Sequence, residues 1–214
     1  MVFGDRAPGG RLPVTIYDEG FIEDTSRNIT DMSLRDSQGV TYMHYKGTPL
    51  WPFGFGLAFT NWSVSIPAKP GVVTTQHVAD AYGAYYSASG GLTTTARGAV
   101  TTLGVHVSNV GSRASDVVVH VFAALTSTPP RGALAPPLRQ LVGFARVAGL
   151  EAGQSRALDV AITPLALCRV DSDGNQWAEP SSWRLDATAD GVTMHSVPLL
   201  VTGGRRQVLS WPAQ

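Results

Sequence analysis

The sequence is short of charge, of cysteine and of long apolar runs, and each shortage excludes something. Charged residues make up 15% of the 214, and 16 Lys+Arg balance 16 Asp+Glu, so the net charge is zero. Arg205-Arg206 is a tight basic pair near the C-terminus and reads as a solvated strand end. A neutral chain without basic clusters makes neither nucleic acid nor an anionic membrane an expected partner. The single cysteine, Cys168, excludes an internal disulfide and a thiolate zinc cluster. It lies in the apolar run Leu165-Ala166-Leu167-Cys168, where a buried structural thiol is the ordinary reading. No apolar run approaches the ~18–20 residues of a membrane span. Met1-Val2-Phe3-Gly4-Asp5-Arg6 contains no apolar h-region, so no signal peptide is expected in this chain.

Catalytic patterns are also scarce. The chain has no Gly-x-Ser-x-Gly elbow and no phosphate-cradling glycine loop. Its histidines (44, 77, 106, 120 and 195) never fall at i,i+4 on a helix or near the cysteine. His106 and His120 alternate with valines and read as facing solvent or a sheet rim. Asp18, Glu19, Glu23 and Asp24 cluster, but with no apolar wall to raise a pKa they read as a solvated face. Asp171-Ser172-Asp173-Gly174-Asn175 resembles the start of a calcium loop. It then places Gln176 where a glycine is needed and Ser182 where a bidentate Glu is needed. No catalytic, cofactor-binding or metal-binding residue is therefore assigned.

What the chain does have is turns and alternation. With 23 Gly and 14 Pro, it suits an all-β domain of short strands with little helix. The most strongly patterned stretch is Trp51-Pro52-Phe53-Gly54-Phe55-Gly56-Leu57-Ala58-Phe59-Thr60. Large apolar groups at 51, 53, 55, 57 and 59 predict a strand with one aromatic face. Pro, Gly, Gly and Ala leave the other face nearly bare, so a neighbouring backbone can approach it. Such a segment requires something to cover it.

Along the chain, residues 1–25 carry a Pro8-Gly9-Gly10 turn and the alternating Leu12, Val14 and Ile16. Residues 26–95 read as an extended linker around the aromatic segment, with a Gly/Ser/Thr-rich run near 87–98. From 96 to 203 the strand rhythm is regular. Its markers are Leu103-Val105-Val107, Val117-Val119-Val121 running to Leu125, Leu141–Val147, Leu158-Val160-Ile162, Trp183-Leu185-Ala187 and Val197-Leu199-Val201. Val170 and Trp177 flank an Asp-Gly hairpin turn. This rhythm predicts a β-sandwich of immunoglobulin or fibronectin type III style, followed by a tail over 204–214. Two N-glycosylation sequons begin at Asn28 and Asn61.

Several segments, in order, carry a family resemblance: Gly10–Thr15, Thr30-Asp31-Met32, Thr41-Tyr42 and Pro49–Leu57. They are followed by Val107–Gly111, Leu141–Phe144, Leu150–Gln154 and Val170–Asn175. Together they resemble the C-terminal region of glycoside hydrolase family 3, in its β-xylosidase branch. The resemblance implies a mainly β fold: a fibronectin type III-like β-sandwich preceded by an extended linker and a remnant strand of an α/β domain. Residues 1–25 would be that remnant, and Met1 an internal methionine or gene-model start in a longer protein. The parent implied is a retaining exo-glycosidase of xylan or arabinoxylan breakdown, secreted or endomembrane/vacuolar. Its nucleophile Asp and acid/base Glu lie in regions with no counterpart here. Val40 and Met43 depart from the arginines that flank the family's Thr-Tyr pair.

The expected partners are thus the missing catalytic domains, and the expected role is docking and stability. Trp51, Phe53, Gly54, Phe55, Gly56, Leu57 and Phe59 would form the clasp. The alternative is a stand-alone fibronectin type III-like module presenting Trp51, Phe53, Phe55 and Phe59 to a carbohydrate or protein. The sequence assigns no oligomeric state and no cofactor.

Overall fold

The computed structural model describes residues 7–23, 28, 30, 32–89, 98–129 and 133–211, with only the backbone of 86–89. Expectations resting on Met1–Arg6, Asp24, Pro130 and most of the Gly/Ser/Thr-rich run lie outside these residues. The strands are β1 Trp62–Ser65, β2 Val73–Thr74, β3 Thr101–Asn109, β4 Ser115–Leu125, β5 Gln140–Leu150 and β6 Ser155–Ile162. Then follow β7 Cys168–Val170, β8 Gln176–Ala178, β9 Ser181–Thr188, β10 His195–Thr202 and β11 Arg206–Leu209. The α-helices are α1 Gly20–Glu23, α2 Thr41–His44 and α3 Thr75–Ser89.

The strand rhythm produces the sandwich it predicts. One sheet has the order β1-β3-β6, the second β2-β10-β9-β4-β5, and a small third sheet β11-β8-β7 closes one end. Leu103, Val105 and Val107 of β3 share a core with Val117, Val119 and Val121 of β4, all at 0% exposure. Burying such side chains contributes roughly 1.5–3 kcal/mol each before entropy is counted. Gly143 of β5 is needed because a Cβ there would sit 2.5 Å from Val160 of β6. The hairpin turn from Asp171 forms as expected, its carboxylate accepting from the Asp173 and Asn175 backbones and from the Trp177 indole.

Three expectations need correction. The linker over 26–95 is not extended throughout, because it contains β1, β2 and the 15-residue helix α3. Thr74 caps that helix by accepting from the His77 N–H at 3.1 Å, and Gln76 bonds Asp80 one turn on. Val78 and Tyr82 bury against the end of the sandwich, where α3 lies over β11 and the 3-10 turn Pro164–Ala166. Two buried apolar side chains among those described make too narrow a stripe to stand out in a Ser- and Gly-rich stretch. The tail, likewise, contains β11, which pairs with β8.

The third correction concerns His120, expected at solvent or rim and found 7% exposed. β4 is buried on both faces from Val119 to Ala124, and β9 from Leu185 to Thr188. One face meets the sandwich core and the other lies beneath the N-terminal segment. His106 is exposed, as expected.

Candidate functional site

Residues 12–16 and 51–55 pair with each other. Ile16 and Trp51 exchange both backbone hydrogen bonds, at 2.9 and 3.1 Å, while Leu12 bonds Phe55 and Gly54 at 2.8 and 2.9 Å. The aromatic segment is therefore not a continuous period-two strand. Phe55 donates to the Pro52 carbonyl, and Gly54 has φ +84°, the sign that the third position of a type II turn demands. That turn divides the aromatics between two sides.

Phe53 points inward. Its ring lies 4.4 Å from Tyr42, 5.8 Å from His120 and 6.0 Å from Phe122. Trp51 and Phe55 form a separate pair 4.4 Å apart on the outside. Trp51 is 41% exposed, Phe59 46% and Leu57 70%, so these three do not fill the joint within this chain. Val14, Ile16 and Leu50, on the same paired backbone or next to it, are exposed too.

The bare side of the segment behaves as its glycines require. A Cβ on Gly191, in the β9–β10 turn, would fall 2.6 Å from the Gly54 carbonyl carbon. One on Gly56 would fall 2.5 Å from the Gly10 carbonyl oxygen. Gly54 itself is buried, with the His120 ring beside it. Two polar tethers fix the ends. Arg11 donates to the Ala189 carbonyl at 3.1 Å. Downstream, the Thr60 hydroxyl donates to the Asn109 side chain, whose amide donates to the Arg113 and Leu150 carbonyls.

The electrostatics follow from burial. Burial holds the His120 pKa below its ordinary value, nearby Arg11 adds to the effect, and Nδ1 has no hydrogen-bond partner. Burial also lowers Arg11, against the pull of Asp190. Asp190 resists its own burial because it accepts from Val192, Thr193 and Thr188, which keep it below the carboxylate range. Burial alone pushes the Cys168 thiol up to about 12. Asp18, Glu19 and Glu23 are exposed around α1, and Asn28 and Asn61 are exposed as well.

Sequence reading missed Tyr42 and His120 as the seat for Phe53. Their only signal is positional: both sit among residues that a sandwich alone would leave wet.

A family model for the fibronectin type III-like domain matches residues 118–185. Exo-1,4-beta-xylosidase bxlB of Emericella nidulans is 36% identical over 194 residues, covering 86% of this chain and 22% of that protein. The probable exo-1,4-beta-xylosidase xlnD of Aspergillus fumigatus is 32% identical across 100% of this chain and 26% of its own length. Among solved structures, a GH3 exo-beta-xylosidase (XlnD) bound to a xylobiose aziridine activity-based probe superposes with a TM-score of 0.79. It is 30% identical, over 99% of this chain and 26% of that one. The beta-D-glucoside glucohydrolase of Trichoderma reesei, 24% identical with a TM-score of 0.63, shares the fold over 94% of this chain. The chain spans about a quarter of the length of the curated relatives it matches.

Proposed function

This chain is homologous to the C-terminal region of glycoside hydrolase family 3 exo-β-xylosidases, and from that kinship we propose that it docks and stabilises the catalytic domains of such an enzyme without itself contributing a catalytic residue. The parent would be a retaining exo-glycosidase acting on xylosides or related pentosides. The observation that carries the reading is the outer face of the paired segments 12–16 and 51–55. Val14, Ile16, Leu50, Trp51 and Leu57 stand exposed there, along two paired segments that belong to none of the three sheets. An apolar face and unpaired edge of this kind call for a neighbouring sheet. In the family the α/β domain supplies one.

The reading carries with it a secreted or endomembrane location, consistent with the exposure of both sequon asparagines. Among the described residues no helix is long and apolar enough to cross a membrane.

A chimera tests the proposal. The chain replaces the matching quarter of the Aspergillus fumigatus xlnD protein, behind that protein's own catalytic domains. A soluble protein that hydrolyses aryl β-xylosides is expected, with Ile16→Asp abolishing soluble expression. A chimera that is equally soluble and active with Ile16→Asp would overturn the docking role. Hydrolysis by the isolated chain above a buffer blank would overturn its non-catalytic character.

A further inference from the structure

A cleft of about 270 Å³ opens between the N-terminal segment and the sandwich, lined by Thr15, Tyr42, Tyr45, Phe53, Arg139 and Arg184 among others. Its charges do not balance. Arg184 is committed to Asp186, donating from Nε at 2.8 Å and Nη2 at 3.0 Å. Asp186 also accepts from Ser196 at 2.6 Å and is 2% exposed. Arg139 is left with soft contacts only: Nη1 lies 3.9 Å from the Met194 sulfur, and the guanidinium lies 4.9 Å from the Phe122 ring centre. No carboxylate among the described residues comes within ion-pair distance of it.

Burial holds the Arg139 guanidinium below its ordinary pKa despite the opposing pull of Asp186 and Tyr42. A half-buried guanidinium that spends so few of its N–H donors within the chain has donors left for an acceptor. A second polar group in the same cleft is also unsatisfied, for the Thr15 hydroxyl is buried with no partner. A third is ready to donate: Tyr42 accepts from the Leu141 N–H at 3.2 Å, which leaves its own proton available.

We propose that this cleft receives a carboxylate group, gripped by the fork of Arg139 and hydrogen-bonded by the Thr15 and Tyr42 hydroxyls. A guanidinium matches a carboxylate with two parallel N–H donors, and the Tyr42 and Phe53 rings line the cleft beside it. The carboxylate belongs either to a free sugar acid or to an Asp or Glu side chain of a segment that docks beside Tyr42. The recognition chemistry is the same.

The test uses the full 214-residue chain, labelled with 15N-arginine and titrated at fixed ionic strength. D-glucuronate stands for the sugar acid and N-acetyl-aspartate amide for a protein side chain, with D-xylose and chloride as comparators. Either carboxylate should shift the Arg139 Nε–H signal saturably while xylose and chloride do not, and the tighter binder names the source. Arg139→Lys keeps the charge but not the fork, and should weaken binding about tenfold by ligand-observed saturation transfer. Thr15→Val and Tyr42→Phe should each weaken it severalfold, and they carry the comparison if Arg139→Lys fails to fold by circular dichroism. A shift that is linear in concentration for both carboxylates, or binding unchanged in the variants, overturns the proposal. The readout needs no catalytic domain, so its failure is separate from that of the docking role.

Discussion

Gly54 and Gly191 meet backbone to backbone. A Cβ added to Gly191 would lie 2.6 Å from both the Gly54 carbonyl carbon and the Phe55 nitrogen, closer than real Cβ contacts come. Both glycines have positive φ, +84° and +78°. This contact presses the turn of the clasp onto the β9–β10 turn, and Phe53 enters its pocket as a result.

Gly191→Ala should accordingly destabilise the chain by about 2 kcal/mol or more, since it combines left-handed backbone strain with a clash that only backbone movement relieves. Gly10→Ala has nothing within 4 Å and serves as the control. Urea unfolding checks the difference. Equal midpoints for the two variants would mean that the clasp does not seat as described.

Asn109 is the second anchor. It is 1% exposed, and its side chain joins Thr60, Gly111, Arg113 and Leu150. Asn109→Ala strands several buried partners, and a cost of about 3 kcal/mol is expected. The downstream end of the clasp should loosen first, seen as faster hydrogen exchange at the Val110 amide, which donates to Asn61.

His120 gives a pH dependence with a definite sign. Its folded pKa is held down by burial first and by Arg11 second, so the unfolded state takes up the proton earlier as pH falls. Stability from this group is complete above the unfolded histidine pKa of about 6.5 and declines as pH drops below it. His44, lowered by burial, Arg35 and Lys46, acts in the same direction. His120→Phe removes the unpartnered Nδ1 while keeping a ring against Phe53 and Phe122, so stability at pH 8 should hold or rise. Part of the decline between pH 7 and pH 5 should vanish. Thermal melts across that range decide it.

Cys168 offers a simple check on the fold. Half-buried, with its thiol pushed up to about 12 by burial, it should react with an aromatic disulfide reagent at pH 8 far more slowly in the native chain than after denaturation. Rapid labelling of the native chain would contradict the packing of β7 against β8.

Particular residues show where sequence reading succeeds. The alternation of Leu103, Val105 and Val107, and again of Val117, Val119 and Val121, has one physical meaning, because a period of two puts every apolar group on one sheet face. β3, β4, β6, β9 and β10 were legible for that reason, and the short β7–β8 hairpin was legible from its Asp-Gly turn. α3 was not, since Thr74, Val78 and Tyr82 give it only a cap and a narrow stripe, and its burial depends on the distant β11. β1 and β11 are four residues each, too short for a period to register.

The aromatic segment marks the boundary between the two kinds of information. From sequence alone came its need for a cover and the bareness of its glycine side, because those follow from side-chain size and polarity. Which aromatic goes where was decided only in three dimensions. The turn at Pro52–Phe55 sends Phe53 onto His120 and Phe122 and leaves Trp51, Leu57 and Phe59 exposed. The turn is held by Gly191, more than a hundred residues away in the chain, and no local pattern encodes a contact of that range.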